Sequence, residues 1–244
     1  MINKSLFLNV YKKKNIKSEI VTQLIYGDNF KITKRFGSWV EIRNNSDNYK
    51  GYIKNKKFFP NIKNTHKVQT LCSNLYLKPN YKHKIKKKLS FGSKIKIIDK
   101  KNKFYKFDNL WIKKEDVKKI NFKTKNIFKD IKEFIGVKYK WGGKHYSGID
   151  CSGLVQLFIN FNNKFCPRDA KDQIKFFKKK VSLEKIKKGD LIFWKGHVGV
   201  AVSRKKLIHA YGPLKKTIEM PIEQTIKRIY KTANLKVIGV RRVN

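Results

Sequence analysis

The sequence predicts an α+β domain of about 120 residues preceded by two small all-β barrels. Three features point there. Short segments that alternate apolar and polar residues fill roughly the first 115 positions. These segments recur at an offset of 65 residues. From Lys125 onward the apolar residues switch to helical spacing before a second run of strands begins.

The repeat is visible residue by residue. Asn9-Val10-Tyr11 matches Asn74-Leu75-Tyr76, residues 26–32 match 91–97, and Trp39-Val40-Glu41-Ile42 matches Phe104-Tyr105-Lys106-Phe107. The register then shifts by six, so that Tyr52-Ile53-Lys54 meets Trp111-Ile112-Lys113. A deletion of that size in a turn costs little. Within each copy, runs such as KITKRFGSWVEIR and SKIKIIDKKNKFYKF alternate with period 2 and are punctuated by Gly, Asn and Asp, as short antiparallel strands are. Two units of ~50 residues with about five strands each read as small barrels, placed at 1–58 and 66–120. Linkers fall around 56–67, with Pro60, and around 114–125.

The third domain, 124–244, reads differently. KNIFKDIKEFIG at 125–136 spaces Ile127, Phe128, Ile131, Phe134 and Ile135 as a helix, with Gly136 as its stop. CSGLVQLFINF at 151–161 and DAKDQIKFFKK at 169–179 predict two more helices. Strands follow at 190–194, 197–202 and 206–211, then a helix at 221–231 and a last strand at 236–243.

Composition narrows the function classes. With 40% hydrophobic and 13% aromatic residues the chain can pack cores and is no disordered polyelectrolyte. Its three cysteines, Cys72, Cys151 and Cys166, share no CxxC spacing, which fits a reducing compartment and no disulfide framework. The apolar run from Leu6 to Val10 is interrupted by Asn9 and is shorter than a signal-peptide core. No stretch approaches the ~20 apolar residues of a membrane span. The expectation is a cytoplasmic monomer with no cofactor. The net charge of +43 raises nucleic acid as a partner. However, only 7 of the 60 basic residues are arginine, and the lysines accompany abundant Asn, Ile, Phe and Tyr, all encoded by AT-rich codons. Codon bias explains the charge at least as well as function does, no specific nucleic-acid partner is expected, and the field favours small acidic substrates.

Chemistry concentrates in YKWGGKHYSGIDCSGLVQLF, residues 139–158. Cys151 stands at a predicted helix start, behind Asp150 and a Gly-rich approach. Unpaired N–H groups and the helix dipole favour a thiolate there, whereas a structural cysteine belongs on the apolar stripe of a helix. A thiolate nucleophile needs a base, and the base needs an orienting partner. His197 and His209 lie on neighbouring predicted strands. If the turn centres on Ser203 they face each other; if on Arg204 they form a diagonal pair. Their separation of 12 is even, so both side chains share one face, roughly 5–8 Å apart at Cβ.

The motifs YKWGG, GIDCSGLVQ, KKGDLIFW, GHVGV and LIHAYG, in this order over residues 125–244, resemble the NlpC family of cysteine peptidases that act on cell-wall peptides. The resemblance implies a papain-like core in which Cys151 is the nucleophile, His197 the base and His209 the orienting residue. Tyr139 then lines the oxyanion region together with the Cys151 backbone N–H. LNVYKK, YGDNFKI, GSWVEIR and GYI in the first barrel resemble bacterial Src-homology-3-like (SH3-like) domains attached to such enzymes.

Paired SH3-like domains with CPRDAKDQ at 166–173 resemble, more narrowly, the γ-D-glutamyl-L-diamino acid endopeptidases. These cleave muropeptides that carry a free N-terminal L-Ala. The resemblance implies that Asp150, Asp169 and Ser152 hold the substrate's amine, with Arg168 beside them, and that Asp28 and Tyr49 of the first barrel contribute a wall. An ammonium does need acceptors. Taken alone, Asp169 reads equally as a helix N-cap and Arg168 as a surface ion pair. The chain departs from the subgroup at Asp28, where Glu is usual, and at Ala170, where Ser is common. Three alternatives compete with this reading: a zinc site of Cys151, His197 and His209, a non-catalytic wall- or polyanion-binding module, and an exported autolysin acting on intact peptidoglycan. No metal is expected.

Overall fold

Alternation in the first 54 residues produces strands because one face of each must be buried. In Trp39–Asn44, for example, Val40 and Ile42 are fully buried while Arg43 is exposed. The computed structural model describes residues 1–243, grouped into two units. The first holds Met1–Phe122 with Lys144–Tyr146, and the second holds the remainder.

In the first unit, β1 (Phe7–Tyr11), β2 (Ile20–Ile25), β3 (Phe30–Phe36), β4 (Trp39–Asn44) and β5 (Lys50–Lys54) form an antiparallel sheet of order β2-β1-β5-β4-β3. Val10, Leu24, Phe30, Val40, Ile42 and Ile53 fill its core. The second copy is more broken than about five strands of one barrel. β6 (His66–Val68), β7 (Cys72–Tyr76), β8 (Lys84–Ser90), β9 (Lys94–Ile95), β10 (Asp99–Lys101), β11 (Phe104–Phe107), β12 (Leu110–Lys113) and β13 (Val117–Lys119) divide into two sheets, β10-β11-β12-β7-β8 and β13-β6-β9. Residues 117–119, read as linker, are drawn into the second of these sheets because Val117 is buried opposite Val68.

The repeat is nonetheless structural. Tyr11 pairs across strands with Tyr52 as Tyr76 does with Trp111. The copies are clamped together at the YGD turn. Gly27 has φ +82°, and a Cβ there would fall 1.9 Å from the Lys94 carbonyl oxygen, so only glycine fits. Beside it, Tyr26 packs into the second copy's core and donates its hydroxyl to Asp108. The short strand β14 (Lys144–His145) groups with this unit. The Lys144 N–H donates to Gln23 Oε1 at 2.8 Å and the Tyr146 N–H to Ser90 Oγ at 3.1 Å.

The second unit begins with a correction. Residues 125–136 form no α-helix; a single 3-10 turn spans Ile131–Phe134. The apolar residues that are buried, Phe128, Ile131 and Phe134, recur every three residues, which is the 3-10 period rather than 3.6. The Asn126 side chain also captures the Phe128 N–H at 3.2 Å, competing with a helical start.

Beyond β15 (Gly148–Ile149) come α1 (Cys151–Phe161) and α2 (Ala170–Phe176). An antiparallel six-stranded sheet follows, built from β16 (Lys180–Val181), β17 (Asp190–Trp194), β18 (His197–Ala201), β19 (Lys206–Tyr211), β20 (Lys216–Pro221) and β21 (Val237–Arg242), in the order β16-β21-β17-β18-β19-β20. β16 and β20 were not anticipated: the first has two residues, and the second ends on a proline. α3 (Ile222–Ala233) covers one face of the sheet, packing Ile222 and Ile229 against Trp194, Leu207 and Tyr211. α1, buried along nearly its whole length, packs against β18 and β19. Among the described residues no helix is long and apolar enough to cross a membrane.

Candidate active site

Backbone pairing sets the position of Cys151. Lys140 N–H donates to Ile149 O, and Ile149 N–H to Lys138 O, each at 3.0 Å, so Tyr139 runs alongside the residues that enter α1. Asp150, in extended conformation, caps the helix by accepting the Gly153 N–H on Oδ1 at 2.7 Å. Cys151 is therefore the first helical residue and is 6% exposed, with its sulfur facing the N–H groups of Ser152 and Val198. Val198 directly follows His197, which places the thiol at the start of β18.

The histidine register resolves the two turn alternatives. Val200 lies opposite Ile208 and Ala201 opposite Leu207, centring the turn on Arg204 and making His197 and His209 a diagonal pair. His197 Nε2 meets His209 Nδ1 at 2.9 Å. Trp194, across the two-residue turn from His197, lies 5.7 Å from its ring. Among the described residues His209 Nε2 is buried without a hydrogen-bond partner.

The thiolate expected from the helix start is overturned by depth. Burial first, then the neighbouring Asp150 carboxylate, pushes the Cys151 thiol up to about 12; the N–H groups of Val198 and Ser152 and the Arg168 charge pull against this without prevailing. Burial lowers His197 to about 4, although Asp150 opposes the fall. Burial and then His197 lower His209 to about 3. At neutral pH the resting pair is thus thiol and neutral imidazole. For His197 Nδ1 to be the basic lone pair, Nε2 must carry the hydrogen and donate to His209 Nδ1. Tyr139 is held neutral by burial and by its closeness to Cys151 and Asp150, so its hydroxyl is a donor.

Depressed histidines have a stability consequence. Each contributes stability that is complete above the unfolded-state value of 6.5 and is lost as pH falls toward about 4 for His197 and about 3 for His209. The melting temperature should decline from pH 7 to pH 4.5, and less steeply in His209→Asn. Parallel pH profiles for the two proteins would contradict neutral burial.

The other expected residues divide between the units. Arg168, read as a possible surface ion pair, is 2% exposed and grips Asp150 through both carboxylate oxygens, at 2.9 Å from Nη1 to Oδ1 and 2.5 Å from Nη2 to Oδ2. Nη1 also donates to Ser152 Oγ at 3.0 Å. Asp150, Ser152 and Arg168 thus form one buried network under the nucleophile. Asp169 is at the N-cap position of α2, but its side chain makes no cap hydrogen bond.

Asp28 and Tyr49 lie in the first unit. Asp28 is buried; burial alone would raise its carboxyl, but ion pairs with Lys144 at 3.3 Å and Lys94 at 3.5 Å, with the Ile25 N–H, hold it below the usual range. Tyr49 is half-buried in the turn after β4. Among the described residues no group of three or more His, Cys, Asp and Glu side chains is arranged to hold a metal.

Sequence reasoning missed Arg168 as a counter-ion, Gln173, and the aromatic wall of Trp194 and Tyr211. Gln173 ties Ser152 O to Pro167 O, at 2.9 Å each. Only the wall had a readable signal. Trp194 and His197 flank a two-residue turn, and Tyr211 is two residues from His209, so strand parity puts all four on one face.

A cysteine at a helix start, set against a sheet that carries a hydrogen-bonded histidine pair, is the layout of a papain-like cysteine peptidase. Residues 136–236 match the NlpC/P60 family, and residues 10–58 match the bacterial dipeptidyl-peptidase Sh3 domain. The chain is 30% identical over 219 residues to the gamma-D-glutamyl-L-lysine dipeptidyl-peptidase of Bacillus subtilis strain 168, covering 78% of this chain and 72% of that protein. It is 35% identical over 85 residues to dipeptidyl-peptidase 6 of Lysinibacillus sphaericus, covering 35% of this chain and 31% of that protein. An NlpC/P60 family protein from Bacillus cereus ATCC 10987 has the same fold, with a TM-score of 0.82, 18% identity and coverage of 99% and 98%. The chain belongs to the NlpC/P60 family of cysteine peptidases and carries an N-terminal SH3-like domain.

Proposed function

We propose that the protein is an endopeptidase that hydrolyses the γ-D-glutamyl–diamino acid amide of muropeptides with a free N-terminal L-Ala. Cys151 attacks the amide carbonyl while His197 accepts the thiol proton. The oxyanion is held by the Tyr139 hydroxyl and the Cys151 N–H. Collapse to an acyl-enzyme transfers the proton to the leaving amine, and water then releases the product. The observation that carries this is the 2.9 Å contact between His197 and His209 beside the helix-start cysteine. Because thiol and imidazole rest neutral, proton transfer accompanies attack. The bond assignment draws on the gamma-D-glutamyl-L-lysine dipeptidyl-peptidase relative, similar over most of both chains. A free-amine substrate is a released fragment, so we assign the enzyme to cytoplasmic peptidoglycan recycling.

Amine recognition has a direct test. Asp169, at the start of α2, is assigned with Asp150 and Ser152 to the ammonium, as the resemblance of CPRDAKDQ to the γ-D-glutamyl-L-diamino acid endopeptidases implies. Acylating the N-terminus of L-Ala-γ-D-Glu-L-Lys should lower kcat/KM at least ~30-fold, the equivalent of a charged hydrogen bond worth ~2 kcal/mol. Asp169→Asn should narrow that gap. Equal turnover of free and blocked peptides would rule the amine pocket out and favour intact peptidoglycan as substrate.

A further inference from the structure

His209 has one polar tether, through Nδ1 to His197, and its buried Nε2 has no hydrogen-bond partner among the described residues. One hydrogen bond does not fix the plane of an imidazole ring, so packing must do the rest. Across β18 the ring meets Gly199, where a Cβ would lie 3.6 Å from the His209 Cβ; a glycine offers no wall. Across β20 it is paired with Ile218. Two same-strand neighbours share its face: Leu207, an aliphatic side chain that meets the same Gly199 position, and Tyr211, the aromatic one, whose ring stacks on His209 at 4.7 Å and 12° and also lies 5.9 Å from His197.

We propose that Tyr211 is a positioning residue: its stacked ring holds His209 in the plane in which Nδ1 faces His197 Nε2, and so keeps His197 Nδ1 basic toward Cys151. The reason is geometric. Rotation of His209 out of that plane removes the acceptor for the His197 Nε2–H. The tautomer of His197 with hydrogen on Nδ1, which cannot take the thiol proton, then competes equally. The ring face rather than the hydroxyl supplies this restraint, because an offset stack acts through the π-face.

This inference rests on the proposed acid–base roles of Cys151 and His197, so its test needs a readout independent of any peptide. Iodoacetamide alkylation of Cys151, quantified peptide by peptide by mass spectrometry at pH 7, supplies one. Tyr211→Leu should slow both alkylation and kcat by about tenfold, the upper end of an aromatic contact converted to rate, with KM within twofold. Tyr211→Phe should restore both. A ring that only filled the core would, when removed, open the site and leave alkylation unchanged or faster. That outcome, or full kcat in a folded Tyr211→Leu protein, overturns the proposal. If Tyr211→Leu does not fold, Tyr211→Met, unbranched and better able to fill an irregular gap, carries the same test. Failure of both to fold assigns the ring to the core and also overturns it. A wild-type enzyme that alkylates readily yet cleaves no γ-D-glutamyl peptide counts against the substrate assignment alone.

Discussion

Cys151→Ala should abolish hydrolysis of L-Ala-γ-D-Glu-L-Lys, lowering kcat on the order of 10⁴-fold or more, as loss of a covalent nucleophile does. The fold should survive. Alanine is smaller than cysteine and keeps the helix start, while the Asp150 cap to Gly153, the Arg168 grip and the histidine pair involve other atoms. The measurement is single-turnover hydrolysis followed chromatographically, with a thermal melt on the same sample. Residual activity within tenfold of wild type in a folded Cys151→Ala protein would falsify nucleophilic catalysis by this residue. Cys166 offers no substitute: it is fully buried and faces the Pro167 carbonyl.

The second large effect concerns stability. Arg168 and Asp150 form an ion pair whose side chains are 1% and 7% exposed. Two charges at that depth are tolerated because each neutralises the other and fills the remaining hydrogen bonds. Arg168→Leu leaves the Asp150 carboxylate buried with only the Gly153 N–H and Ser152 hydroxyl as donors. Unfolding free energy from urea titration should fall by about 3–5 kcal/mol. Adding Asp150→Asn, which removes the stranded charge and keeps a capping oxygen, should recover part of the loss. A cost below about 1 kcal/mol for Arg168→Leu would show that the pair is not what holds the loop before α1. The same variant should make the thiol harder to ionise, since Arg168 lowers the Cys151 value and Asp150 raises it.

Several elements were legible because their signals are local. Strand parity needs only a run of extended backbone, so the common face of His197 and His209 follows from an even separation of 12. α1 could be read from its cap and its apolar run together. The segment 125–136 was not legible in the same way. Its apolar spacing satisfies both a 3.6 and a 3.0 period, and the Asn126 side chain takes the Phe128 N–H in competition with a helical start. Strand Lys216–Pro221 escaped for a related reason: it is held by pairing along Lys206–Tyr211 rather than by an apolar run of its own.

The amine-site residues mark the other boundary. Asp150, Ser152 and Arg168 were each named through the resemblance of the motifs around them, but the role of Arg168 as counter-ion was not. Their connection into a single buried network, with the guanidinium under the helix cap, depends on the chain folding back over the 16-residue separation between Ser152 and Arg168. Likewise, Lys144 and Lys94 reach Asp28 from sequence positions that share no pattern with it.

By itself, then, the sequence determined the duplicated β-units, the helix that begins at Cys151 and the shared face of His197 and His209, since these follow from periodicity and spacing along the chain, while the motifs marked the residues available as nucleophile and base. The tertiary structure alone decided the charge states: a thiol raised by burial where the helix start favoured a thiolate, two imidazoles kept neutral, and a carboxylate neutralised by a buried arginine. Proton affinity depends on how much water the whole fold removes from a group and on which distant charges it brings near. Neither quantity is written in a local stretch of residues.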